Sequence, residues 1–227
     1  MTMHSPSLGR VSPRDAGSET VVPLSRRLYR AGGKRAFETL LILLALPAAL
    51  TLIGLMALGV ALDGHNPFYT QVRLGRNGRP FRMFKLRTMV PRAEALLQAH
   101  LDACPEAALE WASTQKLKND PRMTRLGRLL RKTSMDELPQ ILNVLGGSMA
   151  LVGPRPMMPG QRHLYFGKGY YNLRPGITGP WQISERNESD FVARVHFDDA
   201  YDERLSLGTD LSILRRTFGV VLRCTGH

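Results

Sequence analysis

An uncharged apolar run is the feature that most limits how this chain can fold. Residues 39–62 contain no Asp, Glu, Lys or Arg and consist mainly of Leu, Ala, Ile and Val. A run of roughly 20 apolar residues is long enough to cross a bilayer as a helix. Pro47 stands inside the run, and a proline removes a backbone N–H and clashes with the preceding turn. We therefore expect a membrane helix that breaks at Pro47.

Basic residues flank this run on both sides, which bears on its topology. Lys and Arg are frequent in residues 26–35 and again in residues 64–93, where no acid occurs. Cytoplasmic flanks carry the Lys/Arg excess, so a single crossing would export one basic flank. As helices, residues 31–46 and 48–62 extend about 24 and 22 Å, and each is shorter than the roughly 30 Å hydrocarbon core. The pattern favours a re-entrant segment, with a single crossing as the alternative.

Composition and periodicity divide the chain into a tail, the membrane segment and one domain. Residues 1–28 are rich in Ser, Pro, Gly and Arg, which predicts a disordered tail. Residues 29–62 hold the re-entrant helix, and residues 63–227 are expected to form one cytoplasmic domain. Cys104 and Cys224 lie far apart without a CxxC motif. This spacing excludes a cysteine zinc site and suggests a reducing compartment.

The charge balance narrows the class of partner. The formal net charge is +12 and the pI is near 10.4. A strongly basic chain binds polyanions, which here means nucleic acid, an anionic membrane surface or phosphorylated substrates. Aromatic residues are only 7% of the chain, and this weakens the case for base stacking.

The domain is predicted to be α+β and mainly helical. Residues 68–74 and 81–87 read as two strands around Asn77-Gly78, a strong hairpin turn signal. Short helices are predicted at residues 91–100, 105–116 and 123–132, and a further one repeats apolar residues from Leu211 to Val221. The helix at 123–132 and the C-terminal helix are amphipathic, with arginines opposite leucines. We expect them to be interfacial helices around a cytoplasmic catalytic core.

An adjacent pair of carboxylates, Asp136 and Glu137, is the first candidate for chemistry. Ser134 followed by Glu137, ahead of an apolar run, is the pattern of a capping box. It would put both carboxylates in the first turn of a helix, where the helix dipole favours negative charge and an ionised nucleophile or metal ligand. Pro139 leaves a start nearer Asp136 open. Most such boxes only begin a helix, so the neighbouring basic motifs carry the functional interpretation.

Two loops after this pair are suited to phosphate. In Gly153-Pro-Arg-Pro156, two prolines restrict the backbone and so pre-position Arg155 for a bidentate phosphate contact. Residues 174–179, Arg-Pro-Gly-Ile-Thr-Gly, are able to cradle a phosphate through backbone N–H groups. This second loop lacks the ending of a Walker A motif.

Taken in order, these motifs resemble one known family. The chain is similar to the bacterial sugar transferases, the monotopic polyprenyl-phosphate phosphoglycosyl transferases, and most of all to the short exopolysaccharide-priming type. The likeness covers residues 34 to the C-terminus, although the family often has a serine at Leu46 and a glycine at Glu185. The motifs that carry it are Lys34-Arg35, the proline-broken membrane segment, Phe84-Lys-Leu-Arg-Thr-Met89, Arg131 to Glu137 with Leu138-Pro-Gln, Leu151-Val-Gly-Pro-Arg-Pro156, and Arg174-Pro-Gly-Ile-Thr-Gly followed by Trp181-Gln182.

This resemblance implies a reaction. It implies transfer of a sugar-1-phosphate from a UDP-sugar, such as UDP-galactose or UDP-glucose, to undecaprenyl phosphate at the cytoplasmic face of the bacterial inner membrane, with release of UMP. Asp136 would be the nucleophile that forms a covalent phospho-sugar adduct, and Asp136 and Glu137 would hold Mg²⁺. The residues assigned to the phosphate charge are Arg131, Lys85, Arg87 and Arg155, and those assigned to further substrate contacts are Pro154, Arg174, Thr178 and Gln182.

Two other functions remain open from the sequence. A membrane-anchored nucleic-acid-binding protein would account for the charge, but no helix-turn-helix, zinc or RNP signature supports it. We therefore expect no nucleic-acid partner. A membrane-bound phosphohydrolase would need water, rather than lipid, to discharge an aspartyl adduct.

Overall fold

The N-terminal residues enter the fold earlier than the sequence predicts. The computed structural model describes residues 23–62, 64–114, 117–184 and 191–222. Most of the predicted tail, residues 1–22, lies outside these residues. The chain is then helical in α1 (Leu24–Leu28) and continues through a π-helical turn, Tyr29–Gly33. The prediction of disorder is therefore wrong for α1, because the buried Tyr29 anchors this segment through a 2.6 Å hydrogen bond to Asp210.

The apolar run forms one long helix, α2 (Lys34–Ala61), and Pro47 lies inside it. Helical geometry continues across Pro47 without a non-helical segment, and the predicted break of the membrane helix at this residue stays a prediction. A proline withholds only its own N–H from the helical ladder, so the bonds on either side persist. The hydroxyl of Thr51 donates to the carbonyl of Pro47 at 3.0 Å. Within the described residues, the segment 24–61 is the one helix long and apolar enough to cross a membrane.

Both halves of α2 pack against the domain that follows it. Ile42 and Ile53 share a buried cluster with Met83, and Val60, near the end of the helix, packs with Leu130. Most leucines of α2 and its C-terminal end are exposed in the protein alone. They are Leu40, Leu43, Leu44, Leu50, Leu52, Leu55, Leu58 and Leu62. Such a continuous exposed apolar surface is typical of contact with lipid or a partner.

The predicted hairpin is confirmed. Strands β1 (Phe68–Leu74) and β2 (Pro80–Leu86) pair antiparallel. Asn77 and Gly78 take positive φ angles of 59° and 71° in the connection between them. Asparagine and glycine tolerate this left-handed conformation best, which explains why this dipeptide marks the turn.

Helices make up most of the domain, as predicted. Helix α5 (Arg125–Lys132) begins at Arg125 because Thr124 caps it, accepting a 2.8 Å hydrogen bond from the N–H of Gly127. The interfacial position expected for α5 and for α10 (Leu207–Leu222) stays a prediction. The other helices are α3 (Ala93–Ala103), α4 (Pro105–Thr114), α5 (Arg125–Lys132), α6 (Ile141–Leu145), α7 (Gly169–Asn172), α8 (Pro180–Ser184), α9 (Arg194–Glu203) and α10 (Leu207–Leu222), with 3₁₀ turns at Met135–Gln140, Pro159–Leu164 and Phe191–Ala193.

A short parallel pair, β3 (Ala150–Val152) and β4 (Gly176–Thr178), joins the two loops singled out in the sequence. The N–H of Gly153 donates to Thr178 O, and the N–H of Gly176 donates to Pro154 O, both at 2.8 Å. A side chain at Gly153 would stand 2.3 Å from the carbonyl oxygen of Arg174. Glycine is required here because the two backbones touch.

A buried acid in α9 illustrates how burial controls stability in this domain. Asp198 is 1% exposed and accepts a 3.0 Å hydrogen bond from the hydroxyl of Tyr165. Burial raises the pKa of Asp198 to about 7, against the opposing charge of Arg194. The ordinary pKa of an aspartate in an unfolded chain is about 3.9. Between these two values the folded protein keeps a proton that the unfolded chain has lost.

The expected result is a stability that falls as the pH rises from about 4 to 7, by up to about 1.4 kcal/mol per pH unit. Asp198→Asn removes the titrating group, so its melting temperature should fall less over this range. Scanning calorimetry of the wild type and the variant in the same detergent measures both slopes. Equal slopes would show that Asp198 does not titrate in this window.

Candidate functional site

The paired carboxylates lie on a 3₁₀ turn, Met135–Gln140, directly after α5. The capping box predicted from the sequence is wrong. Ser134 has a φ of 58°, caps nothing with its side chain, and donates its N–H to Arg131 O at 3.0 Å. A residue in the left-handed conformation at this place ends the preceding helix. Because Ser134 is used to terminate α5, Glu137 does not reach back to it.

Lys85 holds both carboxylates from the opposite side. Its ammonium nitrogen is 2.8 Å from Oε1 of Glu137 and 3.8 Å from Oδ2 of Asp136. Lys85 reaches them from β2, whose contact with the 3₁₀ turn brings the two segments together. This ion pair gives the hairpin a role in the site. It joins Lys85 to two adjacent carboxylates that lie about fifty positions later in the sequence.

The environment of Asp136 sets the state of its carboxyl group. Asp136 is 6% exposed. Burial raises its pKa and the charge of Glu137 adds to the rise, whereas the charges of Lys85 and Arg131 lower it. The neighbouring cations, rather than the N-terminus of an α-helix, therefore favour the ionised form. A carboxylate that is desolvated but charge-balanced is well suited to act as a nucleophile.

A cleft opens beside this pair and is lined mainly by polar side chains. It is open to solvent, and about 290 Å³ of space, part of it outside the mouth, lies in it. Four of the residues selected from the sequence lie on it, namely Lys85, Glu137, Arg155 and Gln182. The full set of lining residues is Arg73, Met83, Lys85, Glu137, Gln140, Arg155, Pro156, Gly176, Ile177 and Gln182.

Arg155 faces the cleft from the proline-bounded loop. Its guanidinium lies over the ring of Trp181, 5.9 Å from the ring centroid. Arg194 stacks on the same ring at 5.3 Å and donates a hydrogen bond to the carbonyl of Arg155. The Trp181 ring restrains the side chain of Arg155, and the hydrogen bond from Arg194 restrains its backbone. Arg155 would therefore lose little conformational entropy on binding a ligand.

Gln182, on α8, is buried yet lacks hydrogen-bond partners. It is 7% exposed, and within the described residues neither its amide nitrogen nor its amide oxygen has a partner. A buried amide without partners costs free energy, so such a group is usually completed by water or ligand. The residue forms part of the cleft wall, but both of its amide atoms are shielded from solvent.

Two predicted site residues stand near the carboxylates without lining the cleft. Nε of Arg131 donates to the hydroxyl of Thr88 at 3.0 Å, which directs the arginine across the end of α5. A terminal nitrogen of Arg87 donates to the carbonyl of Val60 at 3.3 Å, so this side chain connects β2 to the end of α2. Arg131 therefore acts on Asp136 through its charge. Arg87 instead contacts the apolar helix.

Three other predicted residues are not brought into the cleft. Nε of Arg174 donates to Gly147 O at 2.8 Å, and burial lowers the pKa of Arg174. The hydroxyl of Thr178 shares a 2.7 Å hydrogen bond with that of Thr217 on α10. Pro154 is fully buried. These residues support the two loops that carry Arg155 and Gln182, and their predicted contact with substrate remains a prediction.

Arg73 and Gln140 line the cleft but were not predicted as site residues from the sequence. Successive strand residues point to opposite faces, and in the hairpin register Arg73 stands opposite Phe81 and Tyr69 opposite Lys85. Arg73 therefore lies on the same face as Lys85. The Asn77-Gly78 turn fixes that register, so strand parity was a usable signal for Arg73. No comparable signal existed for Gln140, which is buried at the end of the 3₁₀ turn.

The acidic pair also determines what metal the site can accept. Within the described residues no group of three His, Cys, Asp or Glu side chains converges. Asp136 and Glu137 supply two carboxylates beside a single lysine. Mg²⁺ binds through one or two carboxylates together with waters and substrate phosphates, and needs no complete protein cage. The residues present therefore fit Mg²⁺, and do not fit a zinc ion held by protein alone.

Comparison with known proteins places the chain among sugar transferases. The family model described as bacterial sugar transferase matches residues 29–224. A UDP-galactose-lipid carrier transferase of Erwinia amylovora is 44% identical over 199 residues, which cover 85% of this chain and 41% of that protein. An undecaprenyl-phosphate galactose phosphotransferase of Salmonella typhimurium is 43% identical over 195 residues, covering 85% and 41%.

A shorter relative matches from end to end. The exopolysaccharide production protein ExoY of Rhizobium meliloti is 40% identical over 220 residues, which cover 94% of this chain and 97% of that protein. The chain thus spans about two fifths of the Erwinia and Salmonella relatives and nearly all of the Rhizobium one. The family match covers the whole segment that carries α2, the hairpin and the cleft. On these grounds the chain belongs to the bacterial sugar transferase family, as its motifs suggested.

Proposed function

We propose that this protein transfers a hexose-1-phosphate from a UDP-hexose to undecaprenyl phosphate, with release of UMP. The observation that carries the proposal is the buried Asp136, which adjoins Glu137 and lies 3.8 Å from Lys85. Asp136 itself does not line the cleft, but Glu137, Lys85 and Arg155 do. The names of the Erwinia and Salmonella relatives support a UDP-galactose donor and an undecaprenyl phosphate acceptor. The name of the Rhizobium relative supports a place in exopolysaccharide assembly.

The arrangement suits a transfer in two steps. In the first, a carboxylate oxygen of Asp136 attacks the phosphorus next to the sugar, and the bond from that phosphorus to the oxygen of UMP breaks. In the second, a phosphate oxygen of the lipid attacks the same phosphorus, and the bond to Asp136 breaks and restores the carboxylate. Each substrate then visits one site in turn. The products are UMP and a lipid-linked diphospho-sugar.

The other residues of the cleft act on charge and orientation. Lys85 offsets the negative charge of the two carboxylates and fixes the direction of Glu137 through a 2.8 Å contact. Arg155, held against Trp181, is placed to contact phosphate oxygens on the donor and to offset the charge of the departing UMP. Gln182 forms part of the cleft wall beside Arg155.

Asp136 and Glu137 are the residues that would hold Mg²⁺. The bound ion would offset negative charge on the donor diphosphate and on UMP. A Mg²⁺ requirement is part of this proposal. It rests on the preference of Mg²⁺ for one or two carboxylates together with substrate phosphates.

We further propose that α2 is re-entrant, with both ends on the cytoplasmic side. The support is that the domain contacts both ends of the helix. Lys34, at the start of α2, lies 2.5 Å from Asp210 of α10, and the carbonyl of Val60, near the end of α2, accepts from Arg87 of the domain. A helix that crossed the roughly 30 Å hydrocarbon core would take one end out of reach of a domain on the other side. The exposed leucines of α2 would face the acyl chains.

The first prediction concerns the nucleophile. Asp136→Asn should abolish UMP release from a UDP-hexose, because a neutral amide does not displace UMP from phosphorus. The matched control is Asp102→Asn, the same change at an exposed position of α3, which should keep wild-type rates. The measurement is UMP formed with and without undecaprenyl phosphate. Substantial UMP release by the Asp136 variant would rule out the covalent scheme, and catalytic release by the wild type without lipid would indicate a hydrolase instead.

A second prediction concerns topology. Single cysteines would replace Ser25, before α2, and Gly208, in α10, both exposed, in a chain whose Cys104 and Cys224 are serines. In intact spheroplasts, an impermeant thiol reagent should label neither, since both basic flanks stay cytoplasmic. Lysed spheroplasts provide the control, where both must react. Labelling at Ser25 alone, before lysis, would show a single crossing.

A further inference from the structure

Arg73 is a second arginine on the cleft, and no motif directed attention to it. It lies on β1 and lines the cleft together with Lys85, Arg155 and Gln182. One terminal nitrogen of its guanidinium donates to Oε1 of Gln71 at 2.6 Å. The other makes a longer contact, 3.4 Å, to the carbonyl of Pro156 in the arginine loop. Its Nε atom is buried and has no hydrogen-bond partner among the described residues.

The ion pairs of the cleft are unevenly distributed among its three cationic side chains. Lys85 takes both carboxylates, Asp136 and Glu137, as its ion-pair partners. Neither Arg73 nor Arg155 has an ion pair with any carboxylate in the part of the chain that the structure describes. Burial, with the charge of Arg155 adding to it, lowers the pKa of Arg73 to about 10. Arg73 is therefore still charged at neutral pH, in a place where a second positive charge already stands.

Neither arginine forms a salt bridge among the described residues, and only the more distant charge of Glu137, which lines the same cleft, acts on Arg73 against that of Arg155. Two such guanidinium groups in one cleft suit an anion. Each guanidinium presents several N–H donors in a plane and binds phosphate oxygens in a bidentate way. A nucleoside diphosphate has two adjacent anionic groups, so it would relieve the repulsion between Arg73 and Arg155.

We propose that Arg73 binds the diphosphate of the donor together with Arg155. The inference rests on the proposed function, and it adds to it a residue that fixes where the diphosphate lies between the hairpin and the arginine loop. The competing interpretation is that Arg73 only supports the loop through its contact with Pro156. The two roles predict different effects of an Arg73 substitution on the melting temperature of the ligand-free protein.

The test uses the full chain in detergent with UDP as the probe and Mg²⁺ present. Arg73→Gln should weaken UDP binding at least about tenfold in calorimetric titration, because a charge-assisted contact is lost. Its melting temperature without ligand should equal or exceed that of the wild type, since a like charge has been removed. The stabilisation by UDP should largely disappear. Arg73→Lys, which keeps the charge but not the planar fork, should give an intermediate affinity.

Arg82→Gln is the matched control. Arg82 is exposed and lies on the other face of the hairpin, opposite Val72, so this substitution removes the same charge outside the cleft. It should leave UDP affinity within about twofold of the wild type, a difference that corresponds to under half a kcal/mol. A similar loss in both variants would show that only net charge matters and would overturn the proposal.

The remaining outcomes separate this inference from the proposed function. UDP affinity in Arg73→Gln equal to that of the wild type would overturn the role of Arg73 while leaving the transfer reaction untouched. A lower melting temperature without ligand in both Arg73 variants, with loss of affinity, would assign Arg73 to loop support and also overturn the proposal. Failure of the wild type to bind UDP or to release UMP from a UDP-hexose would instead remove the proposed function itself.

Discussion

The ion pair from Lys85 to the two carboxylates is the interaction on which the site depends. Asp136 and Glu137 are neighbours in sequence, and burial alone would favour protonating one of them. The lysine ammonium, 2.8 Å from Glu137 and 3.8 Å from Asp136, offsets that cost. It also joins β2 to the 3₁₀ turn, so that the hairpin becomes one wall of the cleft. Loss of one partner from such a buried group would leave uncompensated charge, which is strongly destabilising.

The opposite wall depends on a different constraint, the contact between two backbones. Gly153 and Gly176 bring the proline-bounded loop against the strand that follows Arg174, at distances that no side chain allows. The loop is thereby held beside α8, where Arg155 stacks on Trp181 and Gln182 reaches the cleft. The domain also holds both ends of α2, and this connects the position of the cleft to the position of the membrane surface.

Features that depend on interactions between near neighbours in the sequence were predicted correctly. Asn77 requires a left-handed backbone that few residues tolerate, so the hairpin and its register followed from the sequence, and strand parity would have placed Arg73 beside Lys85. The sequence failed where contacts between distant segments decide the outcome. Ser134 matches a capping pattern but is used to end the helix before it. Thr178 belongs to a glycine-rich loop of phosphate-binding appearance, yet its hydroxyl is bonded to a helix thirty-nine residues away.

The central claim is that Asp136 becomes covalently linked to the sugar phosphate, and mass spectrometry tests it most directly. The purified protein would be incubated with UDP-galactose and Mg²⁺ in the absence of lipid acceptor, quenched in acid and digested. The account predicts a peptide containing Asp136 that carries the added mass of a hexose phosphate, with one UMP released per modified chain, and loss of that mass when undecaprenyl phosphate is added before quenching. UMP released in step with lipid product, with no modified peptide at any time, would contradict it.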